Sequence, residues 1–217
     1  LDSPLPGIRN SGLFAMHELE HGVRARADWN AANARGKVLL GARSRDLITQ
    51  LGFTVEATPW PASILRVRGT RSAVAVFLER ADEIEPASPG FDGLSPVSYA
   101  LAKADAENLE YVVVSAGSVL RVYPVKPGVG TARRGRTETF IEIDLALLDS
   151  ESAGFLILIA SGDALAAGGT FADLLDSSKR FAASLGARLR DRIYDEVMPD
   201  LAKALWKARG LRNATRE

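Results

Sequence analysis

The stretch "VSYALAKADAENLEYVVVSAGSVLRVYPV", residues 97 to 125, sets one helix before two strands and decides the fold. "VSYALAKADAENL" reads as a helix; "EYVVVSA" (110 to 116) and "SVLRVYPV" (118 to 125) are β-branched runs joined through Gly117. Upstream lie three further strand candidates, "FTVEAT" (53 to 58), "SILRVRG" (63 to 69) and "SAVAVFLER" (72 to 80), separated by Pro or Gly turns. "AVAVFL" is continuously apolar, as expected of a strand covered on both faces. "SILRVRG" alternates, placing Ile64, Arg66 and Arg68 on one face and Leu65 and Val67 on the other. Parallel neighbours need a crossover and antiparallel ones only a hairpin. The order β-β-β-α-β-β offers one crossover helix, so it predicts an α/β domain with a mixed sheet.

Outward from this centre, "LDSPLPGIRN" (1 to 10) reads as a Pro/Gly lead-in. Two amphipathic helices are expected next, from about Gly12 to Trp29 and from about Lys37 to Leu51, with Gly52 as C-cap of the second. A loop rich in Pro, Gly and acid, "ADEIEPASPGFDGLSP", precedes the central helix. After it, "KPGVGTARRGR" suits no regular amphipathic element, whereas "TETFIEIDL" alternates, with Phe140, Ile143 and Leu145 opposed to charged neighbours, as a strand does. The remainder is helical. Phe171, Leu174, Leu175, Phe181, Leu185, Leu189, Ile193 and Val197 recur at spacings of three to four and predict one long helix, kinked at Pro199.

Composition removes several function classes. The 217 residues are 47% hydrophobic, enough for a sizeable core. Twenty-seven basic side chains balance twenty-seven acidic ones, so no global field marks a nucleic acid or anionic membrane as partner. There is no cysteine, which removes disulfides, thiol catalysis and cysteine-ligated zinc and fits a cytoplasmic protein. "GFLILIA" (154 to 160) falls far short of the roughly 18 apolar residues of a membrane span. The chain begins at Leu1 rather than Met and has no signal-peptide pattern, as a trimmed or partial chain would.

"HELEH", residues 17 to 21, satisfies H-E-x-x-H. On a helix His17 and His21 share a face, with Glu18 beside them as a base. A catalytic zinc needs a third protein ligand and an open position. With only two histidines and no cysteine, that ligand must be a carboxylate, and Asp28, Asp46, Glu56 and Glu79 lie in no ligand motif. Met16, Leu19, Val23 and Ala27 make an apolar stripe that explains the helix without metal.

The succession "SGLFAMHELEH", "LSPVSYALAKADAENLEYVVVSAGSVLRVYP", "GRTETFIEIDLALL" and "LLDSSKRFAASLGARLRDRIYDEVMPDLAKAL" resembles the amino-terminal part of large bacterial restriction-modification proteins. These are the type IIG and related phage-defence enzymes, in which a nuclease-like domain precedes an adenine DNA methyltransferase. The resemblance spans about Gly12 to Arg209. It implies a restriction-endonuclease-like core flanked by helices in residues 11 to 148, after a lead-in of residues 1 to 10. Residues 149 to 217 would then form a long helical segment leading to a methyltransferase domain of the same longer protein. It further implies double-stranded DNA as partner, and no membrane.

A PD-(D/E)xK nuclease core places an Asp on one strand and Glu-x-Lys on the next, the carboxylates holding Mg²⁺ and the lysine assisting attack on phosphate. Glu79 falls where the second carboxylate belongs, as metal ligand and catalytic residue, and Lys103 on the following helix is the candidate amine. The departures are plain: residue 81 is alanine, and no Asp lies between Asp46 and Asp82. The expectation is therefore a degenerate metal site, with Mg²⁺ as cofactor only if the nuclease is active. DNA contact would fall to Arg66 and Arg68, with Arg71 beside them, and to Arg133, Arg134 and Arg136 in the Gly-rich loop, since phosphate contact needs no catalytic geometry. No G-x-G-x-x-G follows a strand, and no methyltransferase target-base motif is present. Three readings remain: a DNA-contacting nuclease-like domain, an active Mg²⁺-dependent endonuclease, and an interaction module whose long helix docks on a partner domain or a second copy.

Overall fold

Seven strands form one sheet in the order β1-β7-β6-β5-β4-β3-β2. The computed structural model describes residues 5 to 132 and 134 to 208. The strands are β1 (Ile8–Ser11), β2 (Thr54–Ala57), β3 (Ser63–Val67), β4 (Thr70–Leu78), β5 (Tyr111–Ala116), β6 (Val119–Pro124) and β7 (Phe140–Asp144). Only β4 and β5 are parallel neighbours, and they are linked by the crossover helix α3 (Pro96–Ala106). Every other pairing is antiparallel. The chain is thus α/β with a mixed sheet flanked by helices, as the single crossover predicts.

Alternation along β4 and β5 feeds two apolar layers. Ala73, Ala75 and Val113 face a core built with α1 (Trp29–Leu39), α2 (Ser44–Gln50), α4 (Gly154–Ala160) and α5 (Gly162–Leu165). Val74, Val76, Val112 and Val114 face α3 together with Ile84 and Phe91 of the acidic loop. Val74 and Val76 are fully buried, so the apolar run of β4 does mark a strand covered on both sides. Ser95 caps α3 by accepting from the Ser98 amide, and Pro96 occupies the first turn, where its missing N–H costs nothing. Two-residue turns close the β3–β4 and β5–β6 hairpins. Arg68 and Gly69 both have positive φ between β3 and β4, and Gly117, at φ 59°, opens the turn between β5 and β6.

Four sequence expectations change. Ile8–Ser11, grouped with the lead-in of residues 1 to 10, is an edge strand paired with β7; so short a segment between turns shows its nature only through its partner. No helix runs from Gly12 to Trp29: a short helical segment at 16 to 22, widened to a π-turn over Glu18–Gly22, buries Leu19, and α1 begins at Trp29. The second expected helix is two, α1 and α2. Arg68 is a turn residue rather than a strand residue, so it shares no face with Arg66.

The chain divides into two compact units, Leu1–Lys179 and Arg180–Glu217. Helices α4 and α5 therefore belong with the sheet, although the sequence grouped 149 onwards with the helical segment. The full burial of α4 explains the apolar run "GFLILIA". The helix α6 (Thr170–Arg192) gives way to a π-turn over Ile193–Val197 and then to α7 (Met198–Ala208). The irregularity sits just before Pro199, which has no N–H to return to the preceding turn. Among the described residues no single helix is long and apolar enough to cross a membrane.

Candidate nucleic-acid interface

Glu79 follows β4 directly, at the strand end that faces the start of β3, because Ser63 pairs with Ala75 in register. The first carboxylate of a hydrolytic site would fall in the segment leading into β3, "TPWPAS", which holds none. A cavity of about 230 Å³ opens there, lined by Arg45, Thr58, Trp60, Ser63 and Phe77 among others, without a carboxylate. Arg45, from α2, lays its guanidinium 4.4 Å from the Phe77 ring centroid and lies 3.4 Å from the Ser63 hydroxyl. Lys103 places its Nζ 5.2 Å from the Trp60 ring and 5.1 Å from the Tyr99 ring. Lys103 is thus held by aromatic faces. Arg80, beside Glu79, turns to Asp82 and Glu83, and the Asp82 hydrogen bond raises the arginine's pKa.

These residues do not fit a Mg²⁺ ion. An octahedral magnesium takes one or two carboxylates in a fixed arrangement, whereas the neighbouring Asp82 and Glu83 are engaged by Arg80 and the charged side chain lining the cavity is Arg45. Among the described residues no three His, Asp or Glu side chains converge as a metal group. The His17 and His21 rings meet in a tilted contact with centroids 5.0 Å apart, and His21 lies 3.8 Å from Glu20.

The arginines nominated for DNA lie mostly at the opposite end of the sheet, around the β3–β4 turn and the entry to β5. Arg66 pairs with Glu56 and donates to the Gly69 carbonyl. Arg71 reaches Glu56 at 2.6 Å and Glu107 at 2.8 Å. Hydrogen bonds from Arg66 and then Arg71 hold the Glu56 carboxyl below its usual range. Arg68 pairs with Asp163 at 2.7 Å, and Arg136 with Asp105 at 2.5 Å and the Val125 carbonyl. Each of these four cations is paired with an acid, Arg66 and Arg71 sharing Glu56. Arg134 donates to the Ser11 hydroxyl at 3.2 Å and pairs with no acid among the described residues, and Arg133 lies outside them. The Gly-rich loop is anchored, because the Thr131 and Ala132 amides both donate to the Gly12 carbonyl. Two clefts of about 460 and 530 Å³ share Asn108, Leu109 and Glu110 at this end of the sheet.

The most buried charge is one the sequence reading passed over. Arg121, in the middle of β6, has a side chain 8% exposed and pairs with Glu142 of β7 and with Glu85. It also donates to the Tyr123 hydroxyl and stacks 4.5 Å from Phe140. Burial alone would lower the arginine's pKa; Tyr123, Glu85 and Glu142 outweigh it and raise it. Burial likewise pushes the Tyr123 hydroxyl up to about 12, against the opposing pull of Arg121. The signal was available in "SVLRVYPV", an apolar strand with Arg121 at its centre, and in "TETFIEIDL", where Glu142 sits between Ile141 and Ile143. No protein-family model, curated protein or solved structure matches this chain.

Proposed function

We propose that the sheet unit is a nuclease-like scaffold that holds nucleic-acid phosphates without hydrolysing them, as the DNA-contacting part of a restriction-modification or phage-defence methyltransferase. One observation carries this reading: at the sheet end where a hydrolytic core would gather carboxylates, the cavity is lined by Arg45 and the rings of Trp60 and Phe77, and Lys103 lies over the Trp60 ring. Phosphate contact requires cations and no metal, and aromatic faces suit unpaired bases. The acid-paired Arg66, Arg68 and Arg136 are weaker candidates, since a phosphate must compete with the carboxylate already bound.

A labelled duplex, with single-stranded DNA beside it, tests the proposal in Mg²⁺, Mn²⁺ and EDTA at several salt concentrations. Binding without cutting is expected. Charge reversal of Arg45 and Lys103 together should weaken binding more than ~10-fold and flatten the salt dependence by about two phosphate contacts, at roughly −0.9 in log–log slope for each. Metal-dependent cutting abolished by Glu79→Ala would establish the active endonuclease instead. A double variant with undiminished affinity would end the reading altogether.

A further inference from the structure

In the second unit, Leu185, Leu189, Ile193, Val197, Leu201 and Leu205 are between 41% and 58% exposed and recur every fourth residue. A regular helix turns about 100° per residue, so a fourfold spacing drifts some 40° at each step. The stripe would wind away from any straight partner. The π-turn over Ile193–Val197 adds a residue to one turn and removes that drift at its centre, which keeps the six side chains on one broad face.

Charge is arranged about the same point. Residues 186 to 192 carry three arginines against Asp191, a net +2, and residues 194 to 200 carry Asp195, Glu196 and Asp200, a net −3. Both halves lie in exposed helix. Two intrahelical pairs, Arg192 with Glu196 and Lys203 with Asp200, are exposed and hold their charges only weakly. A partner that offers acid opposite the first half and base opposite the second, along a matching apolar stripe, is this helix reversed.

We propose that Arg180–Ala208 is a homodimerisation element, pairing with a second copy in antiparallel fashion about a two-fold axis at Ile193. Leu189 then meets Val197 of the second copy, Leu185 meets Leu201, and Arg190 faces Glu196. A parallel pair would set arginine against arginine. This surface shares no residue with the proposed phosphate-contacting cavity, and its failure would leave that reading intact.

Because the chain has no cysteine, a single introduced thiol reports geometry directly. Full-length Ile193→Cys should oxidise to a covalent species of twice the 23.2 kDa chain mass, while Leu185→Cys should not, since its antiparallel mate is Leu201. Adding Leu189→Asp to Ile193→Cys should abolish the cross-link, with circular dichroism confirming that the sheet unit still folds. No cross-link at 193 overturns the proposal, whatever the mass in sedimentation. Equal cross-linking at 185 and 193 overturns the antiparallel arrangement, and a cross-link that survives Leu189→Asp marks random collision and overturns it too.

Discussion

Arg121 is enclosed by groups that hold its charge: Glu142 from the neighbouring strand, Glu85 from the acidic loop, the Tyr123 hydroxyl and the face of Phe140. A buried ion pair adds little net stability over an apolar pair of the same shape, yet removing one member leaves the other charge stranded. Arg121→Met should therefore cost about 3 kcal/mol, at the low end of the 3 to 5 range because Glu85 is 64% exposed and can turn to water. Arg121→Met with Glu142→Leu should recover most of that loss. Urea denaturation of the single and double variants checks this; equal losses in both would show that the network contributes through packing rather than charge. The sequence displayed Arg121 and Glu142 plainly, but nothing local states that they lie opposite in register. Their pairing follows only once β6 and β7 are neighbours.

Close approach between elements is concentrated at α1 and α4. A Cβ on Gly36 would lie 2.1 Å from the Ala153 carbonyl oxygen, and one on Gly154 would lie 2.8 Å from the Trp29 ring. Asn33 fixes the same contact, accepting at 2.8 Å from the Gly154 amide with a side chain cut off from water. Gly36→Ala gains helix propensity on its own, but it must drive α1 and α4 apart against a full core. A net loss of about 1 to 3 kcal/mol is expected, read as a lower thermal midpoint at unchanged sheet content. A rise in the midpoint would mean that propensity wins and the helices give way easily. Elements legible in the sequence were those with long local patterns: β4, α3, β5 and β6 carry their periodicity and turns within themselves. β1 and the π-turn at Glu18–Gly22 do not; each is stabilised by what it packs against, Ile143 across the strand pair and the core around Leu19. The Gly12-to-Trp29 stretch has a helical stripe, and tertiary burial overrode it.

At the scale of the whole molecule, neutral net charge conceals separate local arrangements. Glu79 and Lys103 were identifiable as residues but not as a pair: Lys103 is held by Trp60 and Tyr99, and a lone sequence cannot show which ring a lysine covers. Arg45, the cation that lines the cavity, is an exposed helix charge with no motif around it. The two units also differ in what stabilises them. The sheet unit has its own interior, so its unfolding midpoint should not depend on protein concentration. Residues 182 to 207 are all exposed, and a helix of this length with no buried face is marginal alone in water. Under the proposed pairing its order comes from association, which makes it subject to mass action. Raising the concentration ~100-fold should shift only the helical transition upward, because pairing contributes RT ln of concentration to its stability. Leu201→Asp should abolish that shift and leave the sheet transition in place. Circular dichroism melts at low and high concentration separate the cases: a single transition insensitive to both would mean that the helix is ordered within one chain and that its apolar stripe serves something other than self-association.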